Sequence, residues 1–157
     1  MTTLYKRIHT RSPEETLLWG ERLGKMLEGR ECIILGGSLG SGKTVFVKGL
    51  AKGLGVKEYE YVSSASFVIL KVYQGRVPLY HFDLYRLKDF QELEGIGWDE
   101  YVGKGVVVME WGDRFEASIP FDIKILIKFS RGEEERIMEW YFREEIDFKN
   151  FKIFIST

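Results

Sequence analysis

Between positions 37 and 44 the chain reads Gly37-Ser38-Leu39-Gly40-Ser41-Gly42-Lys43-Thr44, a run whose residue types suit the binding of phosphate. Glycines let a backbone curl until successive N–H groups point at phosphate oxygens, an approach that a Cβ would obstruct. A helix starting near Lys43 would add its positive N-terminal end at the same place. Lys43 is long enough to reach outer phosphates, and the Thr44 hydroxyl is a ligand for Mg²⁺. The spacing Gly-x4-Gly-Lys-Thr fits the P-loop pattern. With glycine at about 7% of ordinary sequence, a chance match in a chain of this length is under roughly 1%. The bland alternative is that these glycines only make a turn.

Catalysis at such a loop needs an acid near the metal, and two carboxylates stand at the ends of apolar runs. Glu110 follows Val106-Val107-Val108-Met109, the arrangement expected of an acid that contacts Mg²⁺ directly or through water. Asp83 follows His81-Phe82 at the end of another run. Each could instead cap a loop, or pair with Arg86.

The flanking pattern supplies the elements that must hold these groups. Cys32-Ile33-Ile34-Leu35 reads as a buried strand running into the loop. Val47, Leu50, Ala51 and Leu54 line one face of the helix that follows, closed by Gly55. Upstream, residues 4–9 suit a short strand. Ser12-Pro13-Glu14-Glu15 then starts a helix bearing Trp19, Leu23, Met26 and Leu27 at helical spacing and ending near Gly29. Residues 67–73 and 77–82 form a hairpin around Gln74-Gly75-Arg76. Residues 88–101 read as a short acidic helical stretch broken by Gly95 and Gly97. Strands follow at 121–129 and 135–142, joined by residues 130–134, with a last one near 151–155. The pattern predicts one α/β domain over 1–157, a P-loop NTPase-like three-layer fold with a mixed parallel and antiparallel sheet.

Composition narrows the function. The 157 residues carry 23 Lys plus Arg against 24 Asp plus Glu, which argues against a protein that grips nucleic acid unaided. Residues 37–57 hold four Lys and no acid, with Lys48 and Lys52 on one helix face, either simply solvated or a docking patch. Residues 88–100 hold five acids and one Lys, and residues 132–147 hold seven acids and two Arg. An isolated nucleic-acid binder would not normally carry such stretches. Asn150 is the sole asparagine and is followed by Phe151, so the Asn-Lys-x-Asp signature of guanine recognition is absent. The single cysteine, Cys32, excludes a disulfide scaffold. No apolar run approaches the ~20 residues that span a bilayer, and the expected location is cytoplasmic. His81 on an alternating strand reads as packing or a hydrogen-bond partner, and His9 as a surface residue. Trp111 suits either packing or a nucleotide or partner face.

From Gly36 to Trp111 the sequence resembles the TsaE (YjeE) family, small P-loop ATPases of the bacterial pathway that makes threonylcarbamoyladenosine in tRNA. The residues carrying the resemblance are the loop at 37–44, the block His81-Phe82-Asp83-Leu84-Tyr85-Arg86-Leu87, Glu92-Leu93 with Gly97, and Glu110-Trp111. It implies that residues 37–44 bind ATP, that Thr44 and Glu110 hold Mg²⁺, and that Asp83 serves hydrolysis. It also implies TsaB and TsaD proteins as partners, with tRNA engaged only indirectly through that complex, and no membrane. A family Ser-Pro-Thr-Phe segment resembling a switch loop reads Ser64-Ala65-Ser66-Phe67 here, so Ser66 keeps the hydroxyl while the proline is lost. Gly112 stands where a proline usually follows the tryptophan. Arg136 matches a family arginine that contacts nucleotide. Two readings of other classes compete: a P-loop kinase of a small molecule or protein, and a nucleotide-dependent interaction module that does not hydrolyse.

Overall fold

The computed structural model describes residues 2–63 and 69–143. The switch segment with Ser66, the first residues of the expected hairpin (Phe67 and Val68) and the strand expected at 151–155 lie outside them. One seven-stranded sheet runs in the order β1-β7-β6-β2-β5-β4-β3. Its strands are β1 (Thr2–Thr10), β2 (Cys32–Gly36), β3 (Leu70–Gln74), β4 (Pro78–Asp83), β5 (Val106–Glu110), β6 (Ile123–Phe129) and β7 (Arg136–Arg143). β2 is central and pairs in parallel with β5 and β6, and β5 pairs in parallel with β4. Antiparallel pairs close both edges: β3 on β4, and β7 on β6 with β1 outside it. The sheet is therefore mixed, as the pattern of runs predicts.

Period-two alternation in the parallel strands explains the layers. Ile33 and Leu35 of β2 and Val106 and Val108 of β5 face helices α1 (Pro13–Met26) and α2 (Lys43–Gly53). Cys32, Ile34, Val107 and Met109 face the other way, onto α3 (Phe90–Ile96) and the short turns beside it. Strands buried on both faces read as continuous apolar runs for this reason. The same alternation sends His81, Asp83 and Glu110 to the α2 side of the sheet, since Leu79 and Val108 already point there.

Two helices position the loop. α1 is capped from within the chain: Ser12 Oγ accepts from Glu15 N–H at 3.2 Å, and Glu15 reaches back to the Arg11 N–H at 2.7 Å. It stops at Met26, short of Gly29. α1 and α2 meet at backbone distance through glycines four apart on each, Gly20 with Gly24 and Gly49 with Gly53. A Cβ at Gly49 would lie 2.0 Å from Leu17 O, and one at Gly24 would lie 2.5 Å from Leu50 O. The hairpin turn locks the far end. Arg76 donates to Gly24 O at 2.9 Å, to Gly53 O at 3.2 Å and to Leu27 O, placing one cation on the C-terminal carbonyls of both helices. α3 departs from expectation, because the helix runs through Gly95 and ends only where Gly97 turns left-handed at φ 76°. Nothing lies within 4 Å of a Cβ at Gly95, an open position where glycine costs helix propensity without breaking the element.

The glycine contact predicts that Gly49→Ala destabilises the protein by about 1–3 kcal/mol through overpacking. Helix propensity alone would instead stabilise by about 1 kcal/mol. Thermal unfolding separates the two, and a melting temperature at or above the parent's would refute the backbone contact.

Candidate phosphate-binding site

The site lies at the C-terminal ends of the central strands, where open α/β sheets bind ligands. β2 ends at Gly36, and the chain passes through Gly37, Gly40 and Gly42 at φ 137°, 78° and 110° before α2 begins at Lys43. At Gly37 glycine is required twice over: φ is left-handed, and a Cβ would sit 2.2 Å from Ile127 O. In contrast to α1, the N-terminus of α2 has no side-chain cap and no acid in its first turn. Its orphan N–H groups are thus left for something other than the chain itself.

Lys43 turns its ammonium into the loop, donating to Gly37 O at 2.6 Å and Ser38 O at 2.9 Å. The Nζ stands 4.0 Å from the ring centre of Trp111. Burial pushes its pKa down, and the charges of Glu110, Asp113 and Asp83 oppose that shift. Three acids therefore surround one cation. Glu110 accepts from the Thr44 hydroxyl at 3.0 Å through Oε1, and its Oε2 lies 2.5 Å from His81 Nε2. Asp83 is opposite Glu110 in the β4–β5 register and accepts the Tyr85 N–H at 3.1 Å, so it caps its own loop while facing the site. Burial raises the pKa of its carboxyl, chiefly by desolvation, with the Glu110 charge adding to it.

The arrangement brings together Gly37, Ser38, Gly40, Ser41, Gly42, Lys43, Thr44, Asp83 and Glu110. Leu39 stands at the loop's tip with its side chain largely exposed. Arg136, on β7, supports the loop: Nε donates to Ser41 O at 2.8 Å and Nη2 to Gly40 O at 3.4 Å, while the guanidinium covers the Phe129 ring at 4.4 Å. Beside the loop, Gly37, Ser38, Trp111, Asp113, Leu126 and Lys128 line an open cleft of about 320 Å³.

Sequence reasoning missed Asp113. Its Oδ1 is buried without a hydrogen-bond partner among the described residues, and burial raises its pKa. A Cβ on Gly36 would come within 2.5 Å of its Cγ, so the glycine ending β2 makes room for it. The signal available was an acid two residues past the Glu110-Trp111 pair. Trp111 itself is the one described non-glycine residue at positive φ (66°), held by its N–H to Leu35 O at 2.8 Å, with the Tyr85 ring tilted against it at 5.0 Å. Left-handed backbone costs an ordinary residue about 1–2 kcal/mol and recurs at functional sites. Gly112 next to it is packed so closely that a Cβ would lie 2.8 Å from Ile34 Cγ2, leaving no room for a proline ring without a shift. Arg114 donates to Leu84 O, Tyr85 O and Leu87 O at 3.1, 3.2 and 2.6 Å, tying the Asp83 loop to the Trp111 turn. Other groups behave as their environments dictate. Burial pushes the Cys32 thiol up to about 12, His9 lies exposed 3.4 Å from Glu135, and Lys52 pairs with Glu21 of α1 at 3.5 Å.

A family model described as Threonylcarbamoyl adenosine biosynthesis protein TsaE matches residues 10–138, a span that contains every element of this site. The chain belongs to the TsaE family. Among curated relatives, the tRNA threonylcarbamoyladenosine biosynthesis protein TsaE of Treponema pallidum is 45% identical over 73% of this chain and 84% of its own. Its Bacillus subtilis counterpart is 41% identical over 81% and 79%, and that of Aquifex aeolicus 38% over 78% and 90%. The crystal structure of Bacillus subtilis YdiB superposes with a TM-score of 0.73 at 30% identity, covering 99% of this chain and 94% of that one. The family's fold is thus the one observed here.

A carboxyl with a raised folded-state pKa favours the native state below its unfolded value and loses that contribution as pH rises through the folded value. At pH 7, Asp83→Asn keeps the acceptor for Tyr85 N–H and removes a desolvated charge. It should stabilise the protein by roughly 0.5–1 kcal/mol, as changes at strained functional sites do. The gain should shrink toward pH 4, and thermal melts across this range check both sign and slope.

Proposed function

We propose that this protein binds and hydrolyses ATP with Mg²⁺, and that hydrolysis serves tRNA N6-threonylcarbamoyladenosine modification by driving cycling of a TsaB–TsaD complex. The observation that carries the reading is the uncapped N-terminus of α2 beneath a glycine loop, with the Lys43 ammonium turned inward and acids on either side. A self-sufficient structural helix would be capped as α1 is. The modification pathway is supported by family membership and by the names of the TsaE relatives.

The residues fit Mg²⁺. Thr44 Oγ and a Glu110 carboxylate are hard oxygen donors 3.0 Å apart. Among the described residues no group of three or more His, Cys, Asp or Glu could hold an ion alone, so phosphate and water oxygens must complete the shell, as Mg²⁺ prefers. Held there by Thr44 and Glu110, Mg²⁺ would supply positive charge to offset that of the phosphates.

The protein's own groups do the rest. N–H groups of the loop and of the first turn of α2 hold the phosphates, and Lys43 exchanges its bonds to Gly37 O and Ser38 O for phosphate oxygens. Asp83, which stands beside Glu110 in the β4–β5 register, would orient the attacking water or take its proton. The Trp111 ring covers one side of the ammonium at 4.0 Å. A balanced net charge and the acidic stretches leave tRNA to the partner proteins. No helix among the described residues is long and apolar enough to cross a membrane.

Single-turnover phosphate release, with and without TsaB–TsaD and with no acceptor added, tests this. Lys43→Ala should abolish nucleotide binding. Asp83→Ala should leave binding intact and slow release by about 10²-fold or more. Strict dependence on an added acceptor would indicate a kinase, and an Asp83→Ala rate equal to the parent's would exclude the assigned role.

A further inference from the structure

His81 has no access to a substrate. Its side chain is 1% exposed and that of Glu110 is 3% exposed, and the two meet at 2.5 Å between Nε2 and Oε2. An ionised Glu110 can only accept, so the network assigns the donated proton to Nε2. The other ring nitrogen, Nδ1, is buried with no hydrogen-bond partner among the described residues. Packing alone would favour an apolar residue here, because a buried polar atom without a partner costs stability that Leu or Phe would not. The one interaction that explains an imidazole at this position is the bond to Glu110.

That bond answers a need of the carboxylate. β5 ends at Glu110 and the backbone turns left-handed at the next residue, so the strand fixes the Cα but not the side-chain torsions. Two donors do so: Thr44 Oγ1 on Oε1 and His81 Nε2 on Oε2. Thr44 lies in the first turn of α2, and its hydroxyl oxygen keeps lone pairs that a divalent cation would take. His81 is built into β4, with Val108 of β5 opposite it in the register and the Tyr73 ring 6.4 Å away.

We propose that His81 is a positioning residue: its Nε2–H anchors Oε2 of Glu110 so that Oε1 and the Thr44 hydroxyl stay paired as the protein's half of a divalent-cation site. His81 is neither a metal ligand nor a proton donor to substrate. This rests on the Mg²⁺–nucleotide reading above and names the residue that makes that half-site rigid. Residues behind metal ligands commonly account for 10–100-fold in metal affinity.

The test is a Mn²⁺ titration followed by electron paramagnetic resonance, on the full chain with a saturating non-hydrolysable ATP analogue. His81→Leu removes the donor and should weaken Mn²⁺ about 10–100-fold. Affinity for the same analogue in EDTA, where no metal takes part, should not change. His81→Gln places an amide N–H near the Nε2 position and should recover most of the loss, whereas His81→Asn, whose donor falls short, should not. If His81→Leu fails to fold, the contrast between Gln and Asn decides alone. Equal Mn²⁺ affinity in all variants, or equal loss in Gln and Asn with both folded, overturns the role of His81. A parent protein that binds no Mn²⁺ with the analogue overturns the nucleotide reading itself, a result that cannot be confused with the other two.

Discussion

The ammonium of Lys43 is drawn out of water, and much of the sheet's C-terminal edge is arranged to make that tolerable. Desolvation disfavours its charge, while the carboxylates of Glu110, Asp113 and Asp83 and two loop carbonyls favour it. The acids are in turn dependent on the cation, since Asp83 and Asp113 are themselves pushed up by burial. In a region of low polarisability neither sign is comfortable alone, and the cluster is satisfied only as a unit. The excess is negative, with three carboxylates about one ammonium. On the proposed reading, a divalent cation arriving with the phosphate would offset that excess.

The framework converts that local problem into a rigid one. α1 and α2 touch backbone to backbone at the glycines, and Arg76 holds the C-terminal ends of both. With its axis fixed at the middle and the far end, α2 can present a bare N-terminus without fraying. β2 delivers the loop from between β5 and β6, where it is buried on both faces. The stability sacrificed by leaving the α2 end uncapped and Trp111 in left-handed backbone is thus offset elsewhere in the same two layers.

What could be read from the chain follows from how local each signal is. The glycine loop, its strand and its helix were legible because each needs only neighbours in sequence, and the apolar runs before them placed Asp83 and Glu110 on strand ends. The mixed sheet was legible from the order of runs. His81 could be assigned to a strand and to hydrogen bonding, yet its partner lies 29 residues away on another strand, and nothing in the spacing names it. Asp113 escaped because it follows an irregular turn and its counterpart is a missing side chain at Gly36. The helix contact escaped for the same reason: glycines that permit close approach look, in sequence, like glycines that merely weaken a helix. Gly95 shows the reverse error, a glycine taken as a break that α3 passes straight through.

Arg136 gives the fold a temporal property. Its guanidinium holds the carbonyls of Ser41 and Gly40, and it is 95 residues further along the chain than Ser41. During synthesis the loop and α2 emerge early, but the brace emerges only with β7, later than β5 and β6. A nascent or truncated chain that lacks β7 carries the whole phosphate-binding motif in its sequence and none of the strut that fixes it. Long-range closure of this kind slows folding. It also means that the brace on the Gly40 and Ser41 carbonyls is in place only once β7 has joined the sheet.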